Sequence, residues 1–455
     1  MKSLFGTDGI RGEAGKFPLD EPTVNIIGSS LTSYLGTVSS KLPVIVIGRD
    51  TRESGAWLER ALITGASAAG AKCLSAGVIT TPGVAYLTRV LHADAGVVIS
   101  ASHNPYHDNG IKIFAPSGQK IADSVERRIE TDIFANAGTA PTRMIEALSN
   151  SSSENLRKRY LTFLTDEIGN GLKLNGLTVV LDCANGASSE LAPALFEALG
   201  ARVIATNVAP DGRNINLNCG SLHIESLQAT VVAEQSNLGI AFDGDADRSL
   251  FVDAAGNFVD GDATLWVLAN YLLKRQRLKQ GIVIATVMSN IGLEIALRSV
   301  GVELVRTDVG DKYVLEELLR RGASLGGEQS GHIILPELSL AGDGMITALG
   351  LMRAMIEEGG TLQDLTSGFR QYPQVLLNVR VREKVAFSDL PAVQRAVKEV
   401  EERLSQNGRL LLRYSGTEPL ARVMIEGANQ SDIETYAERI AKEIRQEIGV
   451  SSVSP

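Results

Sequence analysis

Cysteine is scarce: Cys73, Cys183 and Cys219 are the whole complement of a 455-residue chain. An odd number without C-x-x-C spacing excludes a disulfide framework and a cysteine zinc site, and points to a reducing compartment. Basic residues are in deficit, 44 Lys and Arg against 53 Asp and Glu for a formal charge of −9, with no long basic run. That balance excludes a nonspecific nucleic-acid partner, so any anionic ligand must be held by local clusters. No apolar run is long enough to span a bilayer, and the opening MKSLFGTDGIRG has no signal-like apolar stretch. The expectation is a cytoplasmic protein without a membrane partner.

What is present is ordinary folded composition, 44% hydrophobic and 21% charged, with 45 glycines that imply many tight loops. The chain is too long for one core and should divide into three or four domains. β-rich runs recur, each followed by a polar or glycine-bearing loop and a helix-like pattern: Pro43–Gly55, Thr178–Ser189 and Gly281–Gly292. Continuous Val/Ile runs suggest strands buried on both faces, in βα units of a mixed or mostly parallel sheet. The spacing predicts three similar mixed-sheet α/β domains. A Ser/Asn cluster in Gly138–Glu154, a closing strand near Asp253–Asp262 and a boundary near Gly368–Pro373 give the expected partition 1–152, 153–256, 257–368 and 369–455. The last part reads as a smaller α+β domain. Its final helix sets Ile433, Tyr436, Ala437, Ile440, Ala441, Ile444 and Ile448 on one face, with Ser431 and Glu434 fitting a capping box.

Four loops carry chemistry. In ISASHNP, the proline keeps Asn104 out of a helix, so Ser102 is expected on an exposed turn after the AGVVIS strand. It is not a G-x-S-x-G elbow, and alone it reads as an ordinary polar turn. In FDGDADR, Asp243, Asp245 and Asp247 repel unless a cation gathers them, and oxygen-only ligands suit Mg²⁺. An EF-hand is excluded, since Arg248 stands at its glycine and Ala254 at its terminal glutamate. In LGGEQSGH, Glu328, Gln329 and Ser330 could read sugar hydroxyls or an amine, with a glycine-rich turn as the bland alternative. In RYSGTEPLAR, Arg413, Ser415, Gly416, Thr417 and Arg422 make a phosphate cradle or simply a hairpin turn. Jointly they are the parts that phosphoryl transfer on a sugar phosphate requires.

These loops, with FGTDGIRG at Phe5–Gly12, closely resemble the α-D-phosphohexomutase family, in its order along the whole chain. PDGRNIN (Pro210–Asn216), VGDKY (Val309–Tyr313) and GGEQSGH resemble the branch acting on glucosamine phosphates, and Gln329 stands where the mannose and glucose branch carries Met. Ala246 and Tyr414 depart mildly from the family pattern, where Gly and Pro are common. The resemblance implies four domains around a central cleft, a hinge near Gly368 and a phosphosugar ligand, with a homodimer as one assembly. It implies a phosphoserine at Ser102 and one Mg²⁺ per chain, held by Asp243, Asp245, Asp247 and a phosphoryl oxygen on Ser102. It further implies Arg248 on the remaining oxygens, Lys112 and His332 as the acid/base pair, and Arg11 and His103 as electrostatic support. Glucosamine 1,6-bisphosphate would be the intermediate and an activator. Rival readings are the same chemistry on mannose or glucose phosphates, a metal-dependent phosphatase with an aspartyl nucleophile, and a catalytically silent sugar-phosphate regulator.

Overall fold

A computed structural model describes residues 3–38, 41–136, 150–415 and 418–450. Most of the Gly138–Glu154 segment, and Gly416 and Thr417 of the cradle, lie outside the described residues. The chain forms two compact units, Met1–Met288 with Val305–Ser367 and Ser289–Leu304 with Gly368–Pro455.

Among the described residues the first unit carries three mixed sheets. Six strands order as Phe5–Gly6, Gly9–Glu13, Asp108–Phe114, Ala95–Ile99, Val44–Arg49 and Lys72–Val78. Val44–Arg49 runs parallel to both its neighbours, whereas Ala95–Ile99 and Asp108–Phe114 are antiparallel. The helices Glu21–Val38 and Gly55–Ala68 cross on this sheet at two glycines: a Cβ on Gly28 would lie 2.2 Å from the Leu62 carbonyl oxygen, and one on Gly65 1.9 Å from that of Asn25. The second sheet orders as Phe258–Val259, Ser249–Asp253, Leu238–Phe242, Thr178–Asp182 and Arg202–Thr206. Phe242 and Ser249 are register partners, so FDGDADR is the turn of an antiparallel hairpin. The third contains Ile282–Thr286, Gly326–Gly327 and Ile333–Ile334, and Gly327 pairs with Ile333, which makes Glu328–His332 a tight turn. AGVVI, LGIAF and IVIAT are buried at every position, as continuous apolar runs require when both sheet faces are covered.

The second unit is the smaller α+β domain: Gln374–Arg380, Leu420–Glu426 and Arg409–Tyr414 form an antiparallel sheet with Leu420–Glu426 in the middle. The helix Gln430–Ile448 buries Ile433, Ala437, Ile440, Ala441, Ile444 and Ile448 against it, the expected stripe. Its cap differs from expectation. Asn429 accepts from the Ser431 N–H and is the N-cap, so Ser431 falls inside the first turn, and the extended backbone at Asn429 sets the start two residues earlier. Tyr414 stacks on Phe387 at 4.2 Å and donates to the Val385 carbonyl at 2.5 Å.

Within the first unit, Tyr160 on the helix Asn150–Thr162 donates to Asp343 Oδ2 at 2.6 Å. Asp343 also caps the helix Gly344–Glu358 through the Met345 and Ile346 N–H groups. Burial pushes the Asp343 carboxyl up to about 6, against an ordinary 3.8. A folded-state value above the unfolded one means that the native state favours the proton. The contribution is fully present below the unfolded value and is lost as pH rises through about 6, a difference of about 3 kcal/mol. Asp343→Asn keeps an oxygen acceptor without that titration. Its stability relative to wild type should therefore improve steadily between pH ~4 and ~6. Denaturation at several pH values checks this, and a constant gap between the two proteins would contradict it.

Candidate active site

Ser102 follows the strand Ala95–Ile99 in a left-handed conformation, φ 54°. The turn is as expected but its exposure is not: Ser102 is fully buried, because its hydroxyl donates to Asp243 Oδ2 at 2.5 Å and its carbonyl packs against Gly244. Asp243, Asp245 and Asp247 are all buried, and one oxygen from each lies within 4.8 Å of the others. Ala246 turns the loop at φ 54°, a conformation natural to the glycine it replaces in the family pattern.

The charge is compensated from the first sheet. Lys112 stands in Asp108–Phe114, an interior strand, with its ammonium 3.0 Å from Asp245, 3.2 Å from Asp247 and 3.1 Å from Asp8. Burial works against its charge, but the carboxylates of Asp245, Asp247 and Asp8 outweigh it and hold the ammonium well above its ordinary range. Burial likewise opposes ionisation of Asp8, yet Lys112, Lys120 and Arg11 keep its carboxyl far below the usual value. Asp243 goes the other way: burial and the neighbouring Asp247 and Asp245 raise it well above the ordinary carboxylate range. Thr81, opening the helix Thr81–Val90, donates to Asp245 Oδ2 at 2.6 Å.

Two histidines take opposite states. His332 lies 3.6 Å from Asp247 and 3.8 Å from Asp311; burial lowers it, but these carboxylates raise it to about 9, an imidazolium. His103 is pushed down to about 4 by burial, Arg248 and Arg11, and is neutral. Arg248 Nη1 approaches His103 Nδ1 at 3.2 Å, and Arg11 donates to the Ala101 carbonyl at 3.1 Å and pairs with Asp8. A cavity of about 620 Å³ is lined by Asp8, Arg11, Asp247, Arg248, Glu328 and His332. Glu328 accepts from the Gly310 N–H at 3.1 Å and from Ser330 at 3.1 Å. Gln329 instead turns its amide to Asp260, donating to Oδ2 at 3.2 Å.

The first unit thus brings together Ser102, His103, Arg11, Lys112, the three aspartates, Arg248, Glu328, Ser330 and His332. The second unit, by itself, pairs Arg413 and Arg422 directly across two strands, with Ser415 Oγ 3.5 Å from Arg422. Arg422 also lies 3.6 Å from the Glu418 carboxylate. Lys384 donates to the Ser415 carbonyl at 2.6 Å. Sequence reasoning missed Lys384, Asp8, Thr81, Lys120 and Asp311. Lys120 bridges Asp8 and Asp311 at 2.7 Å each, and only the last two lie in motifs already singled out, FGTDGIRG and VGDKY.

The donor set fits a hard divalent cation. Asp245 Oδ1 and Asp247 Oδ1 are buried without a hydrogen-bond partner, beside an Asp243 that cannot ionise comfortably.

Four family models match the chain: phosphoglucomutase/phosphomannomutase alpha/beta/alpha domains I, II and III at residues 2–139, 158–256 and 260–372, and the C-terminal domain at 376–443. A phosphoglucosamine mutase of Solibacter usitatus is 51% identical over 98% of this chain and 99% of its own. One of Mycolicibacterium paratuberculosis is 48% identical over 98% and 99%. Among solved structures, a phosphoglucomutase/phosphomannomutase family protein of Burkholderia thailandensis superposes with a TM-score of 0.78 at 22% identity, covering 99% of this chain and 100% of that one. An Aspergillus fumigatus N-acetylphosphoglucosamine mutase, solved with GlcNAc-6P and magnesium, gives 0.67 at 18% identity, covering 98% and 96%.

A divalent cation should stabilise the protein by relieving the carboxylate repulsion, by about 2.7 kcal/mol at a hundredfold excess over its dissociation constant. Thermal melts with Mg²⁺ and with EDTA test this. A transition that Mg²⁺ leaves in place would remove the metal from the site.

Proposed function

The chain belongs to the phosphoglucosamine mutase family, and from that premise we propose that it interconverts glucosamine 6-phosphate and glucosamine 1-phosphate through phospho-Ser102 and glucosamine 1,6-bisphosphate. The observation that carries the reading is the Ser102 hydroxyl 2.5 Å from Asp243, in a buried ring of three carboxylates faced by an ammonium. Asp243, Asp245, Asp247 and the serine phosphate would hold one Mg²⁺, which when bound neutralises their charge and polarises the phosphoryl group. The magnesium in the Aspergillus relative supports the choice of ion.

In the first transfer the bond from phosphorus to Ser102 Oγ breaks and one to sugar O1 forms. Lys112 supplies the proton to Oγ. His332, beside Glu328 on the sugar side, first releases its own proton to solvent and then takes the proton of the O1 hydroxyl as the O1–P bond forms, while Arg11, His103 and Arg248 steady the phosphoryl oxygens. The bisphosphate then turns, and Oγ takes the phosphoryl group from O6, which restores the phosphoserine and leaves glucosamine 1-phosphate. The phosphate away from the serine is assigned to Arg413, Ser415, Gly416, Thr417 and Arg422. Glu328 and Ser330 read the amine and a hydroxyl, and Gln329 shapes their turn from Asp260. We keep the four-domain partition 1–152, 153–256, 257–368 and 369–455, which gives each loop its own domain. The product is the form of amino sugar that nucleotide activation consumes, on the way to UDP-N-acetylglucosamine and cell-wall precursors. Among the described residues no helix is long and apolar enough to cross a membrane. The cytoplasm, where the phosphosugar resides, is the proposed location.

Ser102→Ala should abolish isomerisation, and intact-mass analysis of active enzyme should find one phosphoryl group on that serine; activity surviving the substitution sinks the reading. Turnover should favour glucosamine 1-phosphate over glucose 1-phosphate, and the opposite preference would move the chain to the glucose branch. Arg422→Ala should raise KM for the sugar phosphate by about tenfold, the cost of one charge-assisted contact of roughly 1.4 kcal/mol.

A further inference from the structure

The residues that carry Ser102 are themselves held from outside the loop. Both lone pairs of the Ser102 carbonyl are occupied, by Arg52 Nη2 at 2.9 Å and by Asn216 Nδ2 at 2.9 Å. The same two side chains share the Asn104 carbonyl, at 2.8 and 3.0 Å. Arg52 also takes the carbonyls of Pro105 and Asp108, so one fully buried guanidinium collects four carbonyls, three from the loop and one from the first residue of the strand that follows it. Asp50 fixes Arg52 at 2.8 Å and accepts from Ser100 Oγ at 2.6 Å, and Ser100 Oγ in turn accepts the Ser102 N–H at 3.0 Å. Asn216 comes from the other side. It ends the PDGRNIN segment, its own N–H is bound to the Ala184 carbonyl at 2.9 Å, and its amide nitrogen would lie 3.0 Å from a Cβ on Gly244.

We propose that Arg52 and Asn216 are positioning residues for the phosphoryl transfer, acting together on the Ser102 carbonyl to aim Oγ at Asp243. This rests on Ser102 as the carrier. A non-glycine residue in the left-handed region sits about 1–2 kcal/mol above its ordinary conformations, so the backbone at Ser102 relaxes unless outside contacts hold it. Relaxation rotates the peptide and swings Oγ away from Asp243. Neither residue is among those assigned to the sugar or its distant phosphate, so the effect falls on the chemical step rather than on substrate binding. PDGRNIN thereby transmits the geometry of the second sheet to the nucleophile of the first.

Asn216→Asp tests this, since it preserves shape but turns an oxygen toward two carbonyl oxygens in place of a donor. It should lower kcat by about 10–100-fold, the range expected for a nucleophile displaced by about 1 Å. KM should stay within about twofold and the Mg²⁺-induced thermal shift should be retained; Asn216→Ala, which removes the donor without repulsion, should fall between the two. Wild-type kcat in folded Asn216→Asp overturns the proposal, as does a loss expressed mainly in KM or in the Mg²⁺ shift. If the aspartate variant does not fold, the alanine variant is judged on the same criteria. Ser102→Ala separates the two readings: if it abolishes turnover while both Asn216 variants retain it, the clamp fails and the carrier stands.

Discussion

The ammonium of Lys112, enclosed by the carboxylates of Asp8, Asp245 and Asp247, is the constraint on which the rest of the larger unit depends. Burying carboxylates without a counter-charge costs several kcal/mol each, and a fixed cation in an interior strand, joined by His332 and Arg248 beside Asp247, makes the acidic hairpin turn tolerable there. The pairing joins an interior strand of the first sheet to the turn of the second, and each sheet thereby sets the position of the other's reactive group. Asp8 extends the pairing through Lys120 to Asp311, which in turn lies against His332.

From this follows an uneven distribution of protons. His103, buried and beside Arg248 and Arg11, has its value lowered to about 4 and is neutral, whereas His332, likewise opposed by burial but surrounded by Asp247, Asp311 and Glu328, holds its proton to about 9. The same imidazole is given two roles by its neighbours, which is how one site keeps an acid and a neutral hydrogen-bonding group side by side. Lys112 is likewise loaded. The resting site is therefore stocked with protons around a serine oxygen, as a group that must leave phosphorus with a proton requires.

The loops themselves were legible because their chemistry is local: three aspartates alternating over five residues, or a serine before His-Asn-Pro, signal themselves in any fold. The sheets were legible for the same reason, since AGVVI and LGIAF admit few environments except a two-sided interior. What the sequence concealed is distance. Nothing near Arg52 says that its guanidinium reaches a loop fifty residues on, and nothing near Thr81 or Lys120 announces a partner. Asn216 and Asp311 stood inside recognised motifs, yet the motifs gave them no role until the tertiary contacts were known. Ser102 lies on the turn that its sequence predicts but is buried rather than exposed, because a hairpin from the second sheet covers it.

That serine carries a further implication. Its backbone geometry is one that glycine adopts without strain, so the residue needed for chemistry is not the one the local conformation favours. Stability and turnover pull in opposite directions at this position. A library selected only for heat resistance would enrich glycine at 102, and its most robust members would be the ones that had stopped working.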